Sequence, residues 1–144
     1  MESILENVAE NILSLKRLLF KKLIDREITA SIIPQDAQFI LIMLEKKESA
    51  TMSEIGKELY IPKPNVTPLV DKLVEAKMVE RISDSTDRRI VRIKITEIGM
   101  DALSKARQLM AVYIQSKLSL LSENDLVSLA GSLNNIKTVM QNIQ

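Results

Sequence analysis

The chain has 144 residues, 46% of them hydrophobic and 27% charged, with a formal net charge of +1. It contains no cysteine and no histidine, which excludes disulfides, thiol redox sensing, thiolate or imidazole metal sites and any histidine-dependent triad. With aromatics at 3%, a single-domain core must be built from Ile, Leu, Val and Met, and 3 Gly and 4 Pro point to a mainly helical protein.

In chain order, MESILENVAE lacks a basic segment leading into an apolar one, so no signal peptide is expected. No apolar run approaches the ~20 residues needed to span a bilayer, and a cytoplasmic location fits. Residues 2–27 read as a first helix, with Ile4, Leu5, Val8, Ile12, Leu15, Leu19 and Leu23 near helical spacing. Leu13, Leu18, Phe20 and Ile24 widen that stripe beyond what one packing partner needs. Lys16, Arg17, Lys21 and Lys22 alternate with Glu6, Glu10, Asp25 and Glu27, the pattern of a solvated face. A second helix starts near Pro34, a favourable first-turn residue, and runs through AQFILIMLEKK. Glu48-Ser49-Ala50 connects it to a third helix, which starts at Met52 because Thr51 and Glu54 have capping-box spacing, and ends near Tyr60.

The fourth helix begins around Pro62–Pro64 and ends near Lys77–Met78, with Val66, Leu69, Val70 and Leu73 defining its inner face. Pro68 removes an amide donor, so the regular helix either starts late or bends there. Val79 to Ser83 and Ile90 to Thr96 then alternate as a two-stranded hairpin whose basic tip is DSTDRR. Thr96 caps a fifth helix from Glu97 to about Leu120, and Ser122 with Asp125 marks a sixth. In the sixth, Leu126, Leu129, Leu133, Ile136, Met140 and Ile143 form a heptad-like seam that runs to the C-terminus.

Two short helices followed by a basic hairpin suit a nucleic-acid duplex. A helix whose first turns carry small and polar side chains can enter the major groove while a basic arm reaches the minor groove. From Lys63 to Lys94 there are eight basic residues against five acidic ones, so the modest positive surplus falls on this segment. Lys63, Asn65 and Thr67 are candidates for base or phosphate contact, and Lys72, further along, for backbone contact. At the hairpin tip Asp87 can pair with one of Arg88 and Arg89, stiffening the wing while the other arginine enters a narrow minor groove. No constellation for catalysis is present: there is no phosphate-binding glycine loop and no strained nucleophile turn, and neither cofactor nor metal is expected.

The segment resembles the MarR family of transcriptional regulators, which carry a winged helix-turn-helix. The resemblance rests on Ser53-Glu54-Ile55-Gly56-Lys57-Glu58-Leu59, Asn65-Val66-Thr67, Leu69-Val70-Asp71-Lys72-Leu73, Met78-Val79-Glu80-Arg81, Asp87-Arg88-Arg89 and Ile95-Thr96-Glu97-Ile98-Gly99. Lys77 stands where the family usually has a glycine, so that turn uses a left-handed non-glycine residue or another geometry. Pro64 and Pro68 are also departures within that helix.

The resemblance implies a mainly α fold with a small β-hairpin wing. The winged helix-turn-helix would occupy about 34–99, flanked by dimerisation helices in about 1–33 and 100–144. It further implies a homodimer joined through both termini, with the seam at Leu126, Leu129, Leu133, Ile136, Met140 and Ile143 in the interface. The implied function is a transcriptional regulator, more often a repressor, that binds a pseudo-palindromic double-stranded DNA operator. In the family a small organic effector lodges between the dimerisation helices and the DNA-binding lobe and releases the operator. Phe20, Phe39 and Tyr113 are candidates to line such a pocket or simply to fill a core. The alternative reading is a winged helix used as a protein–protein interaction module, which the near-zero net charge also permits.

Overall fold

The computed structural model describes residues 1–25 and 27–143. The chain forms two compact units, Asp25–Met110 and Met1–Ile24 with Ala111–Gln144.

The Asp25–Met110 unit holds the buried core. After a short helix α2 (Glu27–Ala30), a 3₁₀ turn over Gln35–Ala37 leads into α3 (Gln38–Lys46). Helix α3 buries Ile40, Leu41, Met43 and Leu44. The third expected helix is α4 (Met52–Glu58), and its capping box is present. Thr51 Oγ1 accepts from the Glu54 amide at 3.1 Å, and Glu54 Oε2 accepts from the Thr51 amide at 2.8 Å. The fourth is α5 (Lys63–Glu75), which packs Val66, Val70 and Leu73 into the core at full burial. Ile33, Ile55, Ile93 and Leu103 complete the centre of this core.

Both helices end in the same way. The Ile61 amide reaches back to the Gly56 carbonyl at 2.9 Å, and the Met78 amide to the Leu73 carbonyl at 2.9 Å, each closing a six-residue loop around a left-handed residue. Those residues are Tyr60 (φ 54) and Lys77 (φ 59), so each turn places a side-chain-bearing residue in a conformation that favours glycine. Lys77 takes the first of the two geometries its position allowed.

The wing has three strands rather than two: β1 (Ala50–Thr51), β2 (Val79–Ser83) and β3 (Val91–Ile95), in the order β1-β3-β2. Ala50, read from sequence as a connection, pairs with Ile93. Two residues carry too little periodicity to announce a strand. Strand β3 starts at Val91 rather than at Ile90, which is left 41% exposed in the turn. Thr96 then joins the sheet to α6 (Glu97–Leu118): its hydroxyl donates to the Lys77 carbonyl at 2.7 Å and accepts from the Gly99 amide at 3.1 Å. Gly99 sits so close to this turn that a Cβ would lie 2.1 Å from the Met78 carbonyl oxygen. Thr-Glu-x-Gly is therefore a docking motif in which only glycine fits the fourth position.

The other unit is built from α1 (Glu2–Leu23), the end of α6 and α7 (Glu123–Met140). Neither α1 nor α7 contains a buried residue. Helix α1 stops at Leu23 and Ile24 is extended (φ −118, ψ 117), short of the expected 27; Arg26 lies outside the described residues. Ser122 caps α7 by accepting from the Asp125 amide at 3.1 Å. The helix ends at Met140, so Ile143 lies beyond the regular seam. Among the described residues, no helix is long and apolar enough to cross a membrane.

Candidate nucleic-acid interface

At 3.6 residues per turn, the buried side chains of α5 fix which face points outward. Directly opposite Val66, Val70 and Leu73 stand Pro64, Pro68, Asp71 and Glu75, all exposed. Asn65 and Lys72 flank that line on one side and Thr67 on the other, while Lys63 occupies the first residue of the helix. The four α5 candidates named from sequence are thus all exposed, three of them beside the outward line and Lys63 at the helix start. The helix continues through Pro68; the missing amide leaves the Pro64 carbonyl without its usual partner on the exposed side.

The wing tip is held by two aspartates. Asp84 Oδ2 accepts from the Thr86 hydroxyl (2.7 Å), the Thr86 amide (3.1 Å) and the Asp87 amide (3.2 Å). These bonds, with the nearby Arg92 charge adding to them, hold the Asp84 carboxyl below its ordinary range. Asp87 accepts from Arg89 Nε (3.2 Å) and Nη2 (3.3 Å), and from the Arg89 amide at 3.0 Å, which lowers its pKa as well. The arginine that pairs with Asp87 is therefore Arg89. Arg88 is exposed and has no ion-pair partner among the described residues.

Three residues of this surface were not singled out from sequence. Asp84 organises the turn, and its signal was legible as an aspartate two residues before a threonine, the spacing of a local side-chain turn. Arg92 is one-quarter exposed and ties the wing to the start of α4. It donates to Ser49 Oγ (2.8 Å), the Ser49 carbonyl (3.0 Å), Glu54 Oε2 (3.2 Å) and Asp84 Oδ1 (3.5 Å). Arg81 on β2 reaches across to Asp71 on the outward line of α5 and pairs with it. Neither contact could be read from sequence spacing, because each joins elements that only the fold brings together.

A pocket of about 520 Å³ lies in the same unit, lined by Asp36, Phe39, Glu58, Leu59, Tyr60, Ile61 and Leu69. Phe39 contributes to it, whereas Phe20 and Tyr113 do not; Tyr113 instead lies under the Lys117 ammonium, 5.2 Å from its ring centre. No group of metal-binding side chains occurs among the described residues.

A sequence model of the MarR family matches residues 33–90. Across its length the chain is 28% identical over 130 residues to YpoP, an HTH-type transcriptional regulator of Bacillus subtilis, covering 90% of this chain and 85% of that protein. It is 28% identical over 96 residues to the HTH-type transcriptional repressor MdtR of the same organism, covering 64% of this chain and 59% of MdtR. Apo MarR from E. coli superposes with a TM-score of 0.71 at 22% identity, covering 89% of this chain and 94% of that one. That likeness shows the winged-helix fold.

Proposed function

The chain belongs to the MarR family of DNA-binding transcriptional regulators and is not an enzyme; from that premise we propose that it is a homodimeric repressor of a pseudo-palindromic operator, released by a small organic effector. The observation that carries the reading is the paired surface of α5 and the wing. The α5 line with Lys63, Asn65, Thr67 and Lys72 supplies a helix for the major groove, and Arg88 supplies an unpaired cation at the wing tip for the minor groove. Asp87 then acts through Arg89, holding it against the turn and leaving phosphate contact to its exposed face.

Dimerisation is supported by the apolar surface that α1 and α7 leave uncovered. Leu5, Ile12, Leu13, Val127 and Val139 are each more than half exposed, and a groove of about 310 Å³ between these helices is lined by Val8, Ile12, Leu15, Ile136, Val139 and Met140. Exposed apolar area on this scale marks an interface. Leu126 and Leu129 are half-buried, while Leu133, Ile136, Met140 and Ile143 are exposed, so the seam offers most of its apolar area to a second copy. On this reading the Asp25–Met110 unit is the DNA-binding lobe and the other unit the dimerisation lobe.

Repression follows the role of the related repressor MdtR, and effector release follows the family's usual logic. The pocket at Phe39 and Tyr60 suits an apolar or aromatic body. The rival reading, a protein-interaction module, draws on Asp71 and Glu75 standing at the centre of the α5 face. Recovery of genomic fragments by the purified protein, followed by mobility shifts at increasing salt, separates the two. Selective, salt-sensitive retention supports the DNA-binding regulator; no retention at any salt supports the rival.

A further inference from the structure

We propose that Pro64 and Pro68 form an apolar stripe that reads thymine C5-methyl groups in the major groove, making them specificity-determining residues of the operator contact. The inference rests on the DNA-binding reading above and adds what that surface recognises.

Three observations carry it. The first is position: the prolines stand directly opposite Val66, Val70 and Leu73, on the part of α5 that reaches furthest from the core. The second is cost. An interior proline removes a backbone hydrogen bond and disfavours the helix by about 3 kcal/mol, and exposed Pro68 recovers none of this by burial. Departures of this kind from local preference concentrate at functional surfaces. The third is chemistry. The other residues on the outward line are Asp71, engaged by Arg81, and Glu75. Carboxylates face repulsion from phosphates, so close approach falls to the first two turns, where the central side chains are pyrrolidine rings.

A proline ring has no donor or acceptor for a base edge, but it offers a rigid apolar surface with no rotamer freedom to lose. The apolar group on a major-groove edge is the thymine methyl. Four residues of helix advance about 6 Å, close to two base-pair steps of 3.4 Å, so an α5 lying along the groove meets two methyls about two steps apart.

The test uses the full-length protein and a duplex selected from a random-sequence library. Each thymine of that duplex is replaced in turn by deoxyuridine, which removes only the methyl. Affinities are measured for the wild type, Pro64→Ser and Pro68→Ser; serine is better tolerated in a helix than proline, so the fold is kept while the ring is lost. The wild type should lose about fourfold per contacted methyl, the value of one buried carbon. The same replacement should cost the matching serine variant nothing. Sequence-specific binding that is indifferent to every methyl overturns this inference alone, as does an equal loss in wild type and both variants. Recovery of no preferred sequence by the wild type overturns the DNA-binding reading together with it.

Discussion

Arg92 Nη2 donates to Glu54 Oε2 at 3.2 Å, and the same carboxylate oxygen closes the capping box of α4 by accepting from the Thr51 amide. One carboxylate therefore serves both the start of the helix-turn-helix and strand β3 of the wing. Through Asp84 Oδ1, the same guanidinium also holds the turn that carries Arg88 and Arg89. Arg92 sets the wing relative to the helices within the Asp25–Met110 unit.

Replacing Arg92 by Met keeps the aliphatic stem and deletes the four hydrogen bonds it donates. Stability should fall by about 1–2 kcal/mol, the range for hydrogen bonds involving a charged group in a partly exposed site. Amide exchange over residues 83–91 should accelerate more than that over α3. Unchanged exchange in the wing would show that Arg92 does not position it.

Lys77 occupies a left-handed conformation that favours glycine. Lys77→Gly should raise stability by about 0.5–1 kcal/mol in denaturant unfolding, because the strain disappears while the Thr96 hydroxyl bond to the carbonyl at 77 remains. The opposite change at Gly99, Gly99→Ala, should cost at least 2 kcal/mol, since its Cβ meets backbone rather than a movable side chain. A gain or no change in that variant contradicts the close-approach account.

The shifted carboxyls Glu45, Glu54, Asp84 and Asp87 are all lowered, by Arg107, the Thr51 amide, Thr86 and Arg89 respectively. A lowered folded-state pKa contributes stability that is fully present above the unfolded value of about 4 and is lost as pH falls through the folded value. With no histidine in the chain, no side chain with an ordinary pKa titrates between pH 5 and 8. Melting temperature and operator affinity should be flat from about pH 5.5 to 8, and stability should decline below about pH 4. A transition near pH 6.5 would be unaccounted for.

Removing residues 122–144 deletes α7 and the seam from Leu126 onward. Sedimentation should show loss of the dimer, with aggregation through the α1 surface that α7 lines. A soluble, stable monomer would contradict the assignment of that face.

Much of this was legible because its signals are local. Thr51 and Glu54 announce their capping box at fixed spacing, Ser122 announces the N-cap of α7, and Val66, Val70 and Leu73 give the inner face of α5 by period alone. The break after Leu23, the two-residue strand at Ala50 and the Arg81–Asp71 and Arg92–Glu54 pairs escaped notice. Each of these depends on tertiary contact, where distant segments decide geometry that neighbouring residues leave open. The choice between Arg88 and Arg89 was of the same kind: both reach Asp87 on paper, and only the turn set by Asp84 selects Arg89.

The most direct measurement titrates wild type, Asn65→Ala, Arg88→Ala and Arg89→Ala against the selected duplex and a scrambled one at several salt concentrations. Asn65→Ala should lose about 1–3 kcal/mol on the selected duplex only, as expected for a base reader. Arg88→Ala should weaken both duplexes alike, and if its contact is to phosphate it should flatten the salt slope by about one unit per half-site. Arg89→Ala should have the smaller wing effect, because Asp87 already neutralises that cation. Equal losses for Asn65→Ala on both duplexes, or unchanged binding in both arginine variants, would contradict the account of how this surface meets DNA.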